Sequence, residues 1–143
     1  MLTFIYDPKC AVCKKAKIFL DDIGAVYTTR DIKTEPPKYD EMKLWLIIGK
    51  FLVNKLFNAS SQLYKSLNLK EWLPLMSEDE CLHLLASDGM LVKRPLLTDN
   101  EYHILVGFQH DEWLSLFTEY DRNKLDAIFQ DYFDEMLRKV SKP

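Results

Sequence analysis

Residues 2–32 read LTFIYDPKCAVCKKAKIFLDDIGAVYTTRDI, and the reading of this stretch decides the fold. Leu2–Tyr6 is a short β-prone run closed by Asp7-Pro8, a turn signal, and so predicts a strand. Beyond it Val12, Ala16, Phe19, Leu20 and Ile23 recur at three- and four-residue steps, the period of a helix with one buried face. Gly24 stands where a C-terminal cap belongs. Ala25–Ile32, rich in Val26, Tyr27, Thr28 and Thr29, reads as a second strand, and Thr34-Glu35-Pro36-Pro37 breaks it. Strand, helix and strand in so short a span form a βαβ opening, whose crossover is right-handed if the strands are parallel.

Outward from this opening the chain turns helical. Tyr39–Ile48, Phe51–Phe57 and Ser61–Leu67 are candidate helices, and Ser77 followed by Glu80 is a capping-box signature for another that runs through Ala86. Asp88-Gly89 turns the chain into an expected strand over Met90–Leu97. Asp99-Asn100 turns it again into His103–Val106, so the two strands read as a β-hairpin. Helix returns at Asp111. Leu125, Ile128, Phe129, Tyr132, Phe133, Met136, Leu137 and Val140 then form an apolar stripe at helical spacing, which predicts an extra C-terminal helix over 118–143. The order βαβ, helices, ββ, helix is that of an α/β, thioredoxin-like βαβ…ββα sheet with a helical insert over 38–86. No linker or repeat interrupts it, so a single domain spanning 1–143 is expected. The stripe is expected to bury against that domain, with a partner chain or a homodimer through the C-terminal helix as the alternative.

Composition narrows the function. The 143 residues are 48% hydrophobic and 29% charged, with a formal net charge of −3, which is ordinary globular composition. A mildly acidic chain attracts neither DNA nor anionic lipid through its overall field, so direct nucleic-acid binding is not expected. The apolar run at the N-terminus is short and has no basic residues before it, and no stretch is long enough to span a bilayer. A cytoplasmic protein without membrane contact is therefore expected. Thiols are normally kept reduced there, so three cysteines suggest reactivity or burial more than a disulfide framework.

Cys10-Ala11-Val12-Cys13 is the sharpest chemical feature. It falls between the first strand and the first helix, which puts Cys10 at a helix N-terminus. Unpaired N–H groups and the helix dipole favour a thiolate there, and Lys9, Lys14 and Lys17 add local positive charge. Cys13, one helical turn on, can close a disulfide on Cys10 and act as its resolving thiol. A C-x-x-C pair is also half of a zinc site, but the second half is missing: Cys81 stands alone, and His83, His103 and His110 are scattered. No metal or organic cofactor is expected. Cys81, beside Leu82, Leu84 and Leu85, reads as a buried structural thiol. Arg94-Pro95 is the second feature. Thioredoxin-like proteins place a cis-proline opposite the active cysteine, and Arg94 could hold an oxyanion or thiolate near Cys10. Cys10, Cys13 and Arg94 are thus the candidate catalytic residues, with Lys9, Lys14 and Pro95 on the substrate side.

Several motifs together resemble the arsenate reductase/Spx family. They are Pro8-Lys9-Cys10-x-x-Cys13-Lys14-Lys15-Ala16, Glu35-Pro36-Pro37, Leu67-Asn68-Leu69-Lys70, Met76–Glu80, Leu84–Pro95 and Val106-Gly107-Phe108, and the similarity runs from residue 2 to residue 117. The resemblance implies a thioredoxin-like fold with a helical insertion, and glutathione or a thioredoxin/glutaredoxin system as the reductant. Arsenate reductases of this family use one cysteine at the position of Cys10 and several arginines that hold the oxyanion. The arginine before the proline is present as Arg94. The one expected late in the insert falls near Leu56-Phe57-Asn58, where there is none, and Leu96–Val106 contains no arginine either. Each charged hydrogen bond lost weakens oxyanion binding by about 1.5–3 kcal/mol, and the C-x-x-C pair also departs from the single-cysteine pattern. The primary expectation is a thiol-dependent oxidoreductase whose Cys10 attacks a disulfide or sulfenic acid and whose Cys13 resolves it. Spx, the other branch, implies an alternative: a redox-sensing transcription regulator that binds the RNA polymerase α subunit. A second alternative is a weak glutathione- or glutaredoxin-dependent arsenate reductase.

Overall fold

The computed structural model describes the backbone of residues 1–140 and the side chains of residues 1–119 and 129–139. The chain divides into two compact units, residues 1–108 and 109–143. In the first, strand β1 (Leu2–Tyr6), helix α1 (Ala11–Asp22) and strand β2 (Tyr27–Asp31) form the βαβ opening that the sequence predicts. The sheet has four strands in the order β2-β1-β3-β4, with β3 at Leu96–Thr98 and β4 at Ile104–Val106. β1 runs parallel to β2 and antiparallel to β3, and β3 is antiparallel to β4. This is the α/β, thioredoxin-like architecture.

Local chemistry explains the ends of α1. Its C-terminus closes through Gly24, whose φ of +71° is a conformation that side chains with a Cβ rarely adopt. From there the Gly24 N–H reaches the Asp21 carbonyl and the Ala25 N–H reaches the Leu20 carbonyl, the paired bonds of a Schellman cap. Cys13, Ala16 and Leu20 form the buried face.

The insert supplies α2 (Tyr39–Gly49), α3 (Gln62–Ser66), α4 (Leu69–Trp72) and α5 (Glu78–Ser87), with short 3₁₀ turns at Val53–Leu56 and Leu73–Leu75, and a third 3₁₀ turn follows it at Gly89–Leu91. The capping box opens α5 as expected: the Glu80 N–H bonds the Ser77 hydroxyl at 3.1 Å, and the Ser77 N–H bonds the Glu80 carboxylate at 3.1 Å. Ile5, Leu96, Ile104 and Val106 on one face of the sheet join Met42, Trp45, Leu56, Leu82 and Leu85 of the insert in one buried cluster. Phe4 and its register partner Leu97 are buried on the opposite face, as alternation along a strand requires.

Two expectations need correction. Phe51–Phe57 is not an α-helix. Val53 and Leu56 are buried at the three-residue step of a 3₁₀ turn, which satisfies the same apolar spacing. Phe57 is then extended and bridges Val92 antiparallel. Met90–Leu97 is not one strand. The Asp88 carboxylate accepts the Met90 N–H at 2.8 Å and starts a 3₁₀ turn, and Pro95, which has no N–H to donate, precedes the first ladder residue, Leu96.

The second unit is built on α6, which runs unbroken from His110 to Val140. The helix expected after the hairpin and the extension expected beyond it are one element. Its described apolar side chains Phe129, Tyr132, Phe133, Met136 and Leu137 are exposed. Leu125, Ile128 and Val140 of the predicted stripe lie outside the described side chains. Among the described residues no helix is long and apolar enough to cross a membrane.

Candidate functional site

The chain leaves β1 into a tight turn. The Asp7 carbonyl accepts the Cys10 N–H at 3.0 Å, and the Asp7 carboxylate accepts the Lys9 N–H at 3.0 Å. This turn makes Cys10 the N-cap of α1, with extended backbone and a carbonyl that accepts the Lys14 N–H at 3.1 Å. Cys10 is half-buried and Cys13 is buried, and both are free thiols. The Cys13 thiol is pushed up to about 12. Burial is the main cause, and a hydrogen bond to the Cys10 sulfur and the charge there raise it further. The Asp7 main chain and the Arg94 guanidinium pull the other way. At neutral pH Cys13 therefore holds its proton.

Across from the cysteines, a segment of the insert and the segment that follows α5 lie side by side. The Lys93 N–H bonds the Leu56 carbonyl and the Asn58 N–H bonds the Leu91 carbonyl, each at 2.7 Å. This short ladder around the Phe57–Val92 bridge carries Asn58, Ser60, Lys93 and Arg94 to the Cys10 side chain. With Cys10 and Val12 they line a recess of about 250 Å³. The stem of Lys93 passes over Gly107, where an added Cβ would meet the Lys93 Cε at 3.2 Å. Gly107, at φ +75°, leaves that path open and donates its N–H to the Pro95 carbonyl at 2.8 Å.

Arg94 borders the recess but is turned into the protein. Its Nη2 donates to the Met90 carbonyl at 2.6 Å and its Nε to the Val92 carbonyl at 3.3 Å. Its Nη1 lies 3.4 Å from Asp7 Oδ2 and 3.5 Å from the Met90 sulfur. Asp7 and Arg94 are both buried. Pro95 is buried and follows a cis peptide bond.

The profile of the ArsC family matches residues 6–116. The chain belongs to the ArsC family. The uncharacterised protein YusI of Bacillus subtilis is 47% identical over 112 residues, covering 78% of this chain and 94% of YusI. The global transcriptional regulator Spx of Enterococcus faecalis is 31% identical over 113 residues, covering 78% of this chain and 83% of Spx. Among solved structures, an ArsC-family related protein from Bacteroides fragilis aligns with a TM-score of 0.78 at 42% identity, over 80% of this chain and 96% of that one.

Within this ArsC-family fold the structure brings together Cys10, Cys13 and Arg94 of the residues singled out from sequence. Lys9 and Lys14 are exposed and are not among the residues that line the recess. Cys81 is buried in α5, and burial raises its thiol. His83 is exposed and stacks on Tyr39 with 4.6 Å between ring centroids, and His103 bonds Asp99 in the hairpin turn. Four residues of the site escaped the sequence reading: Asp7, Asn58, Ser60 and Lys93. Asp7 carried a local signal, but only that of a turn before proline. Asn58 falls where the resemblance expects an arginine.

Proposed function

We propose that this chain is a thiol-disulfide oxidoreductase working through Cys10 and Cys13. The observation that carries the reading is the asymmetry of the pair. Cys10 is accessible at a helix N-terminus beside a recess, and Cys13 is buried one turn on, its thiol raised by burial and by the Cys10 sulfur. In the first step the Cys10 thiolate attacks one sulfur of a substrate disulfide. That S–S bond breaks, a Cys10 mixed disulfide forms, and the departing sulfur leaves with the electron pair and takes up a proton. Cys13 then gives up its proton to solvent and attacks the Cys10 sulfur. The second substrate sulfur leaves as thiolate and the Cys10–Cys13 disulfide closes, with two electrons passed to the substrate. Glutathione or a thioredoxin/glutaredoxin dithiol returns the two electrons by the reverse exchange. The order is built into the pair. While Cys10 is a thiolate, its charge and hydrogen bond help to hold the Cys13 proton, and both influences vanish once Cys10 is in the mixed disulfide.

Titration against glutathione redox buffers, with thiols mapped by mass spectrometry, tests this reading. Wild type should form Cys10–Cys13 reversibly, and Cys13→Ser should stop at a glutathione adduct on Cys10. A wild type that also stops at the Cys10 adduct, or a Cys10→Ser protein that keeps full reductase activity, sinks the proposal. A second reading, a redox-sensing regulator that uses the same thiols, is supported by the identity with Spx and with the regulatory protein MgsR of Bacillus subtilis, 31% over 115 residues. Oxidant-dependent capture of the RNA polymerase α subunit separates regulator from catalyst. Under either reading, the exposed row on α6 is proposed as the contact with a second copy.

A further inference from the structure

A guanidinium beside a cysteine is ordinarily an anion site, and here the structure has turned it inward. All three nitrogens of Arg94 have partners inside the protein: the carbonyls of Met90 and Val92, the Met90 sulfur and the Asp7 carboxylate. The Asp7–Arg94 pair is almost wholly withdrawn from solvent, with side-chain exposures of 9% and 5%, so water screens it little. Asp7 is also fixed, because its other oxygen accepts the Lys9 N–H of the turn that presents Cys10. Arg94 lines the recess and the Asp7 carboxylate does not, yet the carboxylate lies 3.4 Å from Nη1, so its repulsion reduces the attraction that an arriving dianion feels from the guanidinium. What remains in the recess is neutral Asn58 and Ser60, apolar Val12, and Lys93. Lys93 is exposed, and a lysine ammonium there is hydrated and screened.

We propose that Asp7 sets the substrate class of this site: by pairing with Arg94 it excludes tetrahedral oxyanions such as arsenate or phosphate and leaves the recess to an electrophile whose reacting sulfur is uncharged. This rests on the thiol-exchange reading and makes it more specific, because a disulfide sulfur needs no cation to hold it, whereas an oxyanion does. Asp7 acts through Arg94 and is a positioning residue.

The test is protection of Cys10 against the neutral alkylator iodoacetamide, at constant ionic strength, with inorganic phosphate and arsenate as competing ligands. Cys13 is buried, so the early alkylation read by mass spectrometry is that of Cys10. Asp7→Asn keeps the shape of the side chain and the acceptor for the Lys9 N–H while removing the charge. Both anions should leave the wild-type rate unchanged. In Asp7→Asn they should slow alkylation at concentrations about tenfold lower than any that act on wild type, the size of one charge-assisted contact regained. A merely structural role for Asp7 predicts a loss of stability and no gain of anion binding. Protection of wild type and Asp7→Asn at equal concentrations overturns the proposal, and so does an Asp7→Asn protein that gains none. If that variant does not fold, the wild type decides: protection by millimolar phosphate or arsenate overturns the proposal, and its absence, together with protection of an Asn58→Arg variant that adds an unpaired guanidinium to the recess, upholds it. None of these outcomes depends on Cys13, so failure here is distinguishable from failure of the Cys10–Cys13 couple.

Discussion

At Cys13 burial and the neighbouring sulfur act in the same direction, and the result has a thermodynamic signature. Its thiol, ordinarily ionising near 9.0, is raised to about 12 in the folded protein. Between those values the unfolded chain releases the proton and the folded chain keeps it. The folded state then binds more protons, so stability falls as pH rises from about 9 toward 12, by at most about 1.4 kcal/mol per pH unit for this group. The buried Cys81 thiol, also raised, tilts stability in the same sense. Urea unfolding under reducing conditions, at pH near 7.5 and near 10, should show the stability gap between wild type and Cys13→Ser narrowing at the higher pH. A gap that stays constant would mean that Cys13 ionises in the folded protein as it does in the unfolded chain. The two cysteines were legible in the sequence because their spacing is local and the strand–helix junction that presents them is local too. The Asp7–Arg94 pair was not legible, since it spans 87 residues of chain and only the finished sheet brings its ends together.

Among the elements, β2, α2 and the hairpin turn are tied together by a polar clip. Arg30 donates two hydrogen bonds to Glu41, each 2.8 Å, and two more to the carbonyls of Glu35 and Pro36. Asn100 donates to Glu41 at 3.2 Å and accepts from the Trp45 indole at 2.8 Å. Burial alone would push the Glu41 carboxyl up, but the Arg30 hydrogen bonds and charge win and hold it below its ordinary 4.5. Its contribution is thus present above pH 4.5 and is lost as pH falls through the lowered value. Glu41→Gln should cost about 1.5–3 kcal/mol at neutral pH by removing the charge that pairs with a part-buried guanidinium, and should flatten part of the acid limb of stability. The paired replacement Arg30→Met with Glu41→Leu should recover most of the loss, and thermal melts at pH near 7 and near 3 measure both effects. A single variant as stable as wild type would show that the clip is solvated. Elements with strong caps were read correctly from sequence, as Ser77 with Glu80 and Gly24 attest. The errors fell on Phe51–Phe57 and Met90–Leu97, where apolar spacing fits a 3₁₀ turn or an extended residue as well as a helix or strand. Pairing between Phe57 and Val92, a tertiary choice, decides between them.

For the whole molecule, the family match ends at residue 116, while α6 continues to Val140. The recess residues, Cys10 and Cys13 belong to residues 1–108, whereas the apolar row on α6 belongs to the second unit. Phe129, Phe133 and Met136 are spaced by four and three residues, the seam of a helix that pairs with another helix. Tyr132 and Leu137 flank them, and all five are at least 43% exposed. Five large apolar side chains within nine residues form a surface that water does not favour. Because each is exposed, replacing Phe133 and Leu137 by Glu should leave the unfolding free energy within about 0.5 kcal/mol, and the Cys10–Cys13 redox titration should not move. Sedimentation velocity should separate the proteins instead: the wild-type coefficient should rise with concentration, and that of the double variant should stay at the monomer value. If wild type is monomeric throughout, the row does not serve a second copy. If the double variant loses stability, the row is buried in the protein's own fold, and the helix is a stability element and not a contact surface.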